Sequence, residues 1–377
     1  SEDARSSVVI TAGGRTTTGL SFAGTFLLTE VPSADEVSVK VVVPGYSHGQ
    51  LRVRVAEDQT TNVVVHLQKL FSSMLTMPEL AQSWPLGDGG TDGVIELASA
   101  SLRTVYGTPL AGNALLASAR LSPQSLPGEL VTRTEDDTLQ PLEILAALEL
   151  RLAQPTAALT LSSPARLRFQ VDAGSEAREL AVYRFDEIRG AYVEHARVAY
   201  AGAPEEVDFE IEGSGVFAVG EPAAHGSCAK LVLHDTQGSP VANAAVSYAS
   251  AHRGGLRWTD ETGAVCLEGD SGESLQLTAF SRSDAHGLLS SNEASTDPLP
   301  QDASTCAEDQ CLSLEALVLA PVHNACVRGT IAASVRGAKV SVTALGVELE
   351  RRLGSVAAGD DFCFDVADAT TLSFSGL

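Results

Sequence analysis

Positive charge is scarce in this 377-residue chain, which carries four lysines (Lys40, Lys69, Lys230 and Lys339) and a formal net charge of −23. A phosphate backbone or an anionic lipid surface is held by clustered cations. Nucleic acid and charged membranes are therefore poor partners, whereas a strongly acidic chain resists nonspecific association. No apolar run reaches the ~20 residues that span a bilayer, and the longest, Leu142 to Leu152, is interrupted by Glu143 and Glu149. No direct membrane span is expected. A secretory leader is not visible either, an absence without weight because leaders are removed from mature chains. None of the five asparagines opens an N-x-S/T sequon, which favours a bacterial origin. Tryptophan occurs only at Trp84 and Trp258, too few for the stacked aromatic faces on which sugars commonly rest. There is no Walker loop, no HExxH and no GxGxxG after a strand. The expectation is a chain with no catalytic residues, no metal and no cofactor.

What the chain has instead is repetition. One segment runs AAVSYAS (Ala244 to Ser250) and then TDETGAVCLEGDSGESLQLTAFS (Thr259 to Ser281). A second runs AKVSVTA (Ala338 to Ala344) and then AGDDFCFDVADATTLSFSG (Ala358 to Gly376). A third runs SSVVITA (Ser6 to Ala12) and then FAGTFLLTEVPSADEVSVKVVVPGY (Phe22 to Tyr46). Each has an alternating strand, a Gly-led strand, a polar turn and another alternating strand. Period-two alternation punctuated by Gly, Asp and Pro marks half-buried antiparallel strands.

Cysteine is absent before residue 228, and the six that follow are Cys228, Cys266, Cys306, Cys311, Cys326 and Cys363. An even number in a chain of this kind points to disulfides and an oxidising compartment, although six cysteines permit fifteen pairings. The repeat selects one. Cys228 and Cys326 each open a repeat, and Cys266 and Cys363 lie in matching Gly-led strands, 38 and 37 positions later. The pairs Cys228–Cys266 and Cys326–Cys363 are therefore expected across two small sandwiches, leaving Cys306–Cys311 to staple a short loop. A thiolate metal site has no paired CxxC or Cys/His spacing to support it.

Residues 71–222 lack cysteine and read as further alternating strands: Val94 to Leu97, Ala114 to Leu121, Ala165 to Val171, Glu179 to Phe185, Val207 to Ile211 and Gly215 to Val219. The stretch LEILAALELRL (Leu142 to Leu152) has helix-forming composition, but its alternating end favours a strand. Linkers are expected near Ser72–Pro85, Glu221–Gly226 and Pro321–Asn324. The resulting division is 1–70, 71–222, 223–321 and 322–377, an elongated all-β array of tandem Ig-like or transthyretin-like sandwiches.

Two sets of residues carry a family resemblance. They are Asp235-x-x-Gly238-x-Pro240-x-x-x-Ala244-x-Val246 with Thr259-Asp260-x-x-Gly263, and Gly24-Thr25-Phe26-x-Leu28 through Val31-Pro32 to Pro44-Gly45-Tyr46. These resemble the carboxypeptidase-regulatory-like module, a small transthyretin-like β-sandwich. The last repeat departs from it, with Ala357-Ala358-Gly359-Asp360 in place of the Thr-Asp-x-x-Gly turn. The tract Tyr183 to Phe217 looks like β-rich domains of secreted and surface proteins. The resemblance implies a spacer, an adhesive unit or an appendage to a catalytic domain.

Several motifs invite a sharper reading. Gly269-Asp270-Ser271-Gly272, with Ala223-Ala224-His225 upstream, echoes the serine and histidine motifs of trypsin-like proteases. A triad needs serine and histidine in hydrogen-bond reach, yet the two lie too close in sequence to leave room for a first barrel, so a hairpin turn is expected. Asp88-Gly-Gly-Thr-Asp92-Gly lacks the DxDxDG spacing of a calcium loop and reads as a surface turn. Asp297 to Asp309 reads as a solvated acidic loop. His66, between Val65 and Leu67, is expected to face solvent on a strand, and the other histidines have no ligand spacing.

Aligned on the repeat opened by Cys228, the first repeat starts at its second strand. The last stops before strands matching Leu51 to Val55 and Asn62 to Leu67. The expectation is a piece of a longer chain; the alternative is a neighbouring subunit that supplies the missing strand and builds a fibre. Together these readings point to a non-catalytic extracellular or cell-surface structural or adhesive protein, periplasmic display included, with protein partners or self-assembly. The alternative is a glycan- or protein-binding accessory module.

Overall fold

The computed structural model describes residues 8–19, 26, 28–57, 60–76, 82–97, 102–104, 106–108, 110, 113–133, 139–154, 157–171, 173–174, 176–202, 205–223, 226–283, 287–291, 293–300, 306 and 311–321. It describes the backbone alone at residues 19, 76, 133, 157, 158, 205, 283, 287, 288 and 321, and in the strands between 324 and 375. Among the described residues every regular element is a strand, apart from two single-turn 3₁₀ helices. The chain is all-β.

The first unit is a four-stranded antiparallel sheet in the order Arg15–Gly19, Val8–Ala12, Ala34–Val42, Gly49–Val55. Alternation in Ala34–Val42 turns Val37, Val39 and Val41 inward, where they meet Val8, Ala12, Tyr46 and Val53. At two expected strands the described residues are not paired. Phe26 and Leu28 of the Gly-led stretch, and Val63, Val65 and Leu67 of NVVVHL, pack on this core without joining a ladder. Their apolar periodicity reflects burial against a core, which a sequence cannot distinguish from sheet pairing.

The middle unit is a sandwich of two sheets. The larger is organised by Leu139–Gln154, a 16-residue strand flanked by Gly215–Pro222 and Asn113–Arg120. The alternating end of LEILAALELRL prevailed over its helical composition because partners are available on both edges. A register shift between Ile144 and Ala146 inserts one residue, and a one-residue insertion exchanges the two faces of a strand. Leu142 and Ile144 accordingly enter one core, while Ala146, Leu148, Leu150 and Leu152 enter another. The second sheet runs Glu205–Ile211, Ala165–Val171, Gly93–Leu97, Gln82–Leu86. Its Ile95, Leu97, Leu167 and Phe169 close the larger core. The linker expected near Ser72–Pro85 holds strands on both sides of residues 77–81, which lie outside the described residues. Phe71–Thr76 pairs with Asn113–Arg120, and Gln82–Leu86 with Gly93–Leu97.

In the third unit a continuous hydrogen-bonded path joins Gly254–Trp258, Ala245–Ala249, Gln276–Ser283, Gly287–Ser290, Leu317–Pro321, Gly226–Asp235 and Ala264–Asp270. The sheet folds over a core of Leu231, Leu233, Val246, Leu267, Leu275 and Leu277. Two pairings depart from the antiparallel expectation: Gly226–Asp235 runs parallel to Leu317–Pro321 and to Leu312–Ser313. In the last segment Asn324–Thr330 pairs with Asp361–Ala367, and Val335–Ala344 with Val347–Val356 and Thr371–Ser375. Cys326 lies opposite Asp365 and Cys363 opposite Arg328. The side-chain pairing Cys326–Cys363 lies outside the described residues.

Candidate functional site

Four cysteines of the third unit come together in one cluster. Cys228 and Cys266 occupy adjacent antiparallel strands, Cys228 opposite Glu268 and Cys266 opposite Lys230. They are therefore diagonal neighbours on the face turned away from the core. Diagonal Cα atoms stand roughly 7–8 Å apart, beyond the usual reach of a disulfide. The expected Cys228–Cys266 bridge does not form, nor does Cys306–Cys311. Instead Cys228 bonds Cys311, with Cα atoms 4.7 Å apart, and Cys266 bonds Cys306, at 5.8 Å. The cause is the short strand Leu312–Ser313, whose pairing to Ala229 and Lys230 delivers Cys311 beside Cys228. The bridges tie Cys306 and Cys311 to the outer face of the sheet, where Cys228 is fully buried. The two bridges touch, Cys266 Sγ lying 3.5 Å from Cys311 Sγ. Cys228 and Cys266 lie in paired strands as the repeat implies, but their partners Cys306 and Cys311 lie outside the repeat.

The second feature is the junction of the first three units. The first unit meets the third through Trp258, whose Nε1 donates to the Asn62 carbonyl at 2.7 Å and whose ring packs on the first unit's core. Asn62 Nδ2 donates to the Asn243 carbonyl at 3.0 Å, and Asn243 Nδ2 returns to Thr60 at 3.1 Å. His66 does not face solvent. Its Nε2 lies 2.8 Å from Ser247 Oγ, and burial lowers its pKa, against a smaller opposing pull from Glu293.

The first unit meets the middle one through Lys40 and Glu187 at 2.9 Å, Gln50 and the Glu187 carbonyl at 2.7 Å, and Arg52 and the Ile188 carbonyl at 2.9 Å. The hydrogen bond from Lys40 holds Glu187 below the usual carboxylate range. Glu149, buried in the middle sheet, accepts from the His48 backbone N–H at 2.7 Å and from Arg151 at 2.7 Å. The middle and third units are joined by the Ile144 N–H donating to the His252 carbonyl at 2.9 Å. The first unit thus contacts both of the next two. His48, Gln50 and His66, with Gln124, Ser125 and Ser247, line a small cavity where the three meet.

The remaining motifs resolve as turns. Gly272 has φ +83° and the Glu273 N–H donates to the Asp270 carbonyl, so the GDSG sequence is a hairpin end. His225 lies outside the described residues. Asp270 is buried beside Arg253, and burial raises its pKa to about 6, with Arg253 pulling the other way. Asp92 accepts from the Arg120 N–H at 3.1 Å and Thr91 Oγ1 donates to the Asp88 carbonyl, which makes this loop a self-capped turn. Residues 301–305 and 307–310 of the acidic loop lie outside the described residues. Neither tryptophan is exposed: Trp84 packs on the middle core and Trp258 lies in the junction.

No family model matches the chain, and no curated protein matches it. Among solved structures it is similar to a streptococcal ancillary pilin at 9% identity and a TM-score of 0.21, over 54% of this chain and 89% of that one. It is similar also to the Bacillus anthracis TIE protein at 9% identity and a TM-score of 0.20, over 82% of this chain and 74% of that one. Likenesses at this level carry no inference for this chain. Among the described residues no helix is long and apolar enough to cross a membrane.

Proposed function

We propose that this chain is a non-catalytic structural or adhesive protein displayed outside the cytoplasm, in which rigidly joined β units present a surface to protein partners or to further copies. The observation that carries the reading is the doubly bridged loop. Two touching disulfides tie it to one sheet, an arrangement that persists only in an oxidising compartment. The reciprocal asparagine bonds and the Trp258 contact between the first and third units support the same reading, because they suppress motion between units. The turn Asp260 to Gly263, with Asp260 Oδ1 accepting from the Thr262 and Ala264 N–H groups, supports the resemblance to the carboxypeptidase-regulatory-like module.

The alternative, a glycan- or protein-binding accessory module, is favoured by no comparable observation, and its sugar-binding form is weakened because both tryptophans are half-buried in packing contacts. Electron microscopy and sedimentation of the oxidised native chain test the proposal. Discrete rigid particles or ordered polymers that lose definition on reduction are expected. Catalytic turnover, or a chain isolated with free thiols in the third unit, would overturn it.

A further inference from the structure

His252 lies between strands Ala245–Ala249 and Gly254–Trp258, and its ring is turned toward carboxylates from two units. Nδ1 is 2.6 Å from Glu273 Oε1 and 3.5 Å from Glu143 Oε1. One ligand atom each of His252, Asp270 and Glu273 lies within 4.8 Å of the other two, with Glu143 approaching the ring nitrogen from the middle unit. Glu273 and Asp270 belong to the hairpin of the third unit, whereas Glu143 comes from the long central strand of the middle unit. The backbone has already registered the two sides, since the Ile144 N–H donates to the His252 carbonyl.

The cluster is more than a set of surface acids. Asp270 is 9% exposed. Its Oδ1 faces Arg253 Nε at 2.9 Å, while its Oδ2 is buried with no hydrogen-bond partner in the protein. Glu273 Oε2 is buried without a partner as well. Three carboxylates thus face one guanidinium and one imidazole. With the imidazole neutral, negative charge is left uncompensated in a place where unpaired charge is costly.

We propose that His252, Asp270, Glu273 and Glu143 form a binding site for a divalent transition ion of the zinc class, which clips the third unit to the middle one. An imidazole nitrogen among carboxylate oxygens is a donor set suited to zinc. Calcium takes six to eight oxygens, and magnesium keeps most of its water. Zinc bonds of about 2.0–2.2 Å set tetrahedral ligand atoms about 3.3–3.5 Å apart, and the His252–Glu143 separation of 3.5 Å already fits. Glu273 has to withdraw by less than an ångström from its direct bond to the ring. Arg253 keeps Oδ1 of Asp270 and leaves Oδ2 to the ion. The metal takes the position that a proton on Nδ1 would otherwise hold.

The test is titration of the chelator-treated, oxidised full chain with zinc chloride, followed by gel filtration and zinc K-edge X-ray absorption. One retained zinc per chain is expected, with a nitrogen and oxygen shell. The substitutions His252→Gln and Glu143→Gln should each weaken binding at least tenfold, and zinc should raise the melting temperature of the parent chain but not of His252→Gln. No retained zinc, a sulfur shell, or unchanged affinity in His252→Gln would each overturn the proposal. The absorption measurement uses the unmodified chain, so it decides even if a variant fails to fold.

Discussion

Trp258 and Asn62, 196 positions apart in sequence, meet at 2.7 Å, the indole N–H donating to a backbone carbonyl that belongs to another unit. The indole also completes the hydrophobic core of the first unit, which is otherwise small and rich in valine. Truncation to Trp258→Ala should therefore lower stability by about 3 kcal/mol, the low end for a tryptophan removed from a packed site. Trp258→Phe should cost less, about 1 kcal/mol, because it loses mainly the hydrogen bond. Urea unfolding of the two variants against the parent measures both, and an equal cost would show that the contact with Asn62 rather than packing dominates.

His66 confers a pH dependence whose sign follows from its burial. Its folded-state pKa lies below the ordinary value of 6.5, so the unfolded chain takes up the proton first as the pH falls. Where the unfolded state binds more protons, stability rises with pH. The contribution of neutral His66 is thus complete above pH 6.5 and declines as the pH falls from there toward the folded-state value. The urea midpoint measured at pH 7.5 and 5.5 should drop more for the parent chain than for His66→Gln. An identical drop in both would place His66 in solvent.

The third unit depends on its two bridges. Cys228–Cys311 closes 83 positions of chain and Cys266–Cys306 closes 40. Each alone is worth about 4 kcal/mol in the chain-entropy model, though the two loops overlap and their effects will not add. The variant Cys311→Ser should lose about that amount in chemical denaturation. Adding reductant should bring the parent to a stability no higher than the variant's.

Gly263 has φ +74°, and a methyl group there would meet the Leu233 carbonyl oxygen at 2.7 Å and the Pro240 ring at 3.0 Å. The Asp260 carboxylate fixes this turn by accepting from Thr262 and Ala264, and these bonds hold its pKa below the usual value, the Thr262 hydroxyl contributing most. Gly263→Ala should cost about 1–3 kcal/mol from backbone strain plus the contact with main chain. Differential scanning calorimetry should register a lower melting temperature, and an unchanged value would show that the turn relaxes freely.

The strands of the middle unit were readable because each is a short run with a clear period, such as Ala165–Val171, whose burial alternates along its length. The long strand Leu139–Gln154 was harder, since its bulge at Leu145 changes which residues face inward and blurs the alternation. Three features could not be read. The Cys311 partner depends on a parallel pairing made by the two residues of Leu312–Ser313, too short to carry a periodic signal. The burial of His66 and Trp258 depends on another unit packing over them, which leaves no local pattern. The stretch near Ser72–Pro85 reads as a linker, yet Phe71–Thr76 and Gln82–Leu86 are drawn into sheets by partners downstream, a tertiary effect that overrides weak local preference. The cluster of His252, Asp270, Glu273 and Glu143 spans 130 positions between Glu143 and Glu273 and has no motif spacing.

The most direct test of the account is peptide mapping of the native, non-reduced chain. It predicts fragments linking Cys228 to Cys311 and Cys266 to Cys306. Fragments joining Cys228 to Cys266, or alkylated free thiols at these four positions, would contradict both the bridged loop and the oxidising compartment inferred from it.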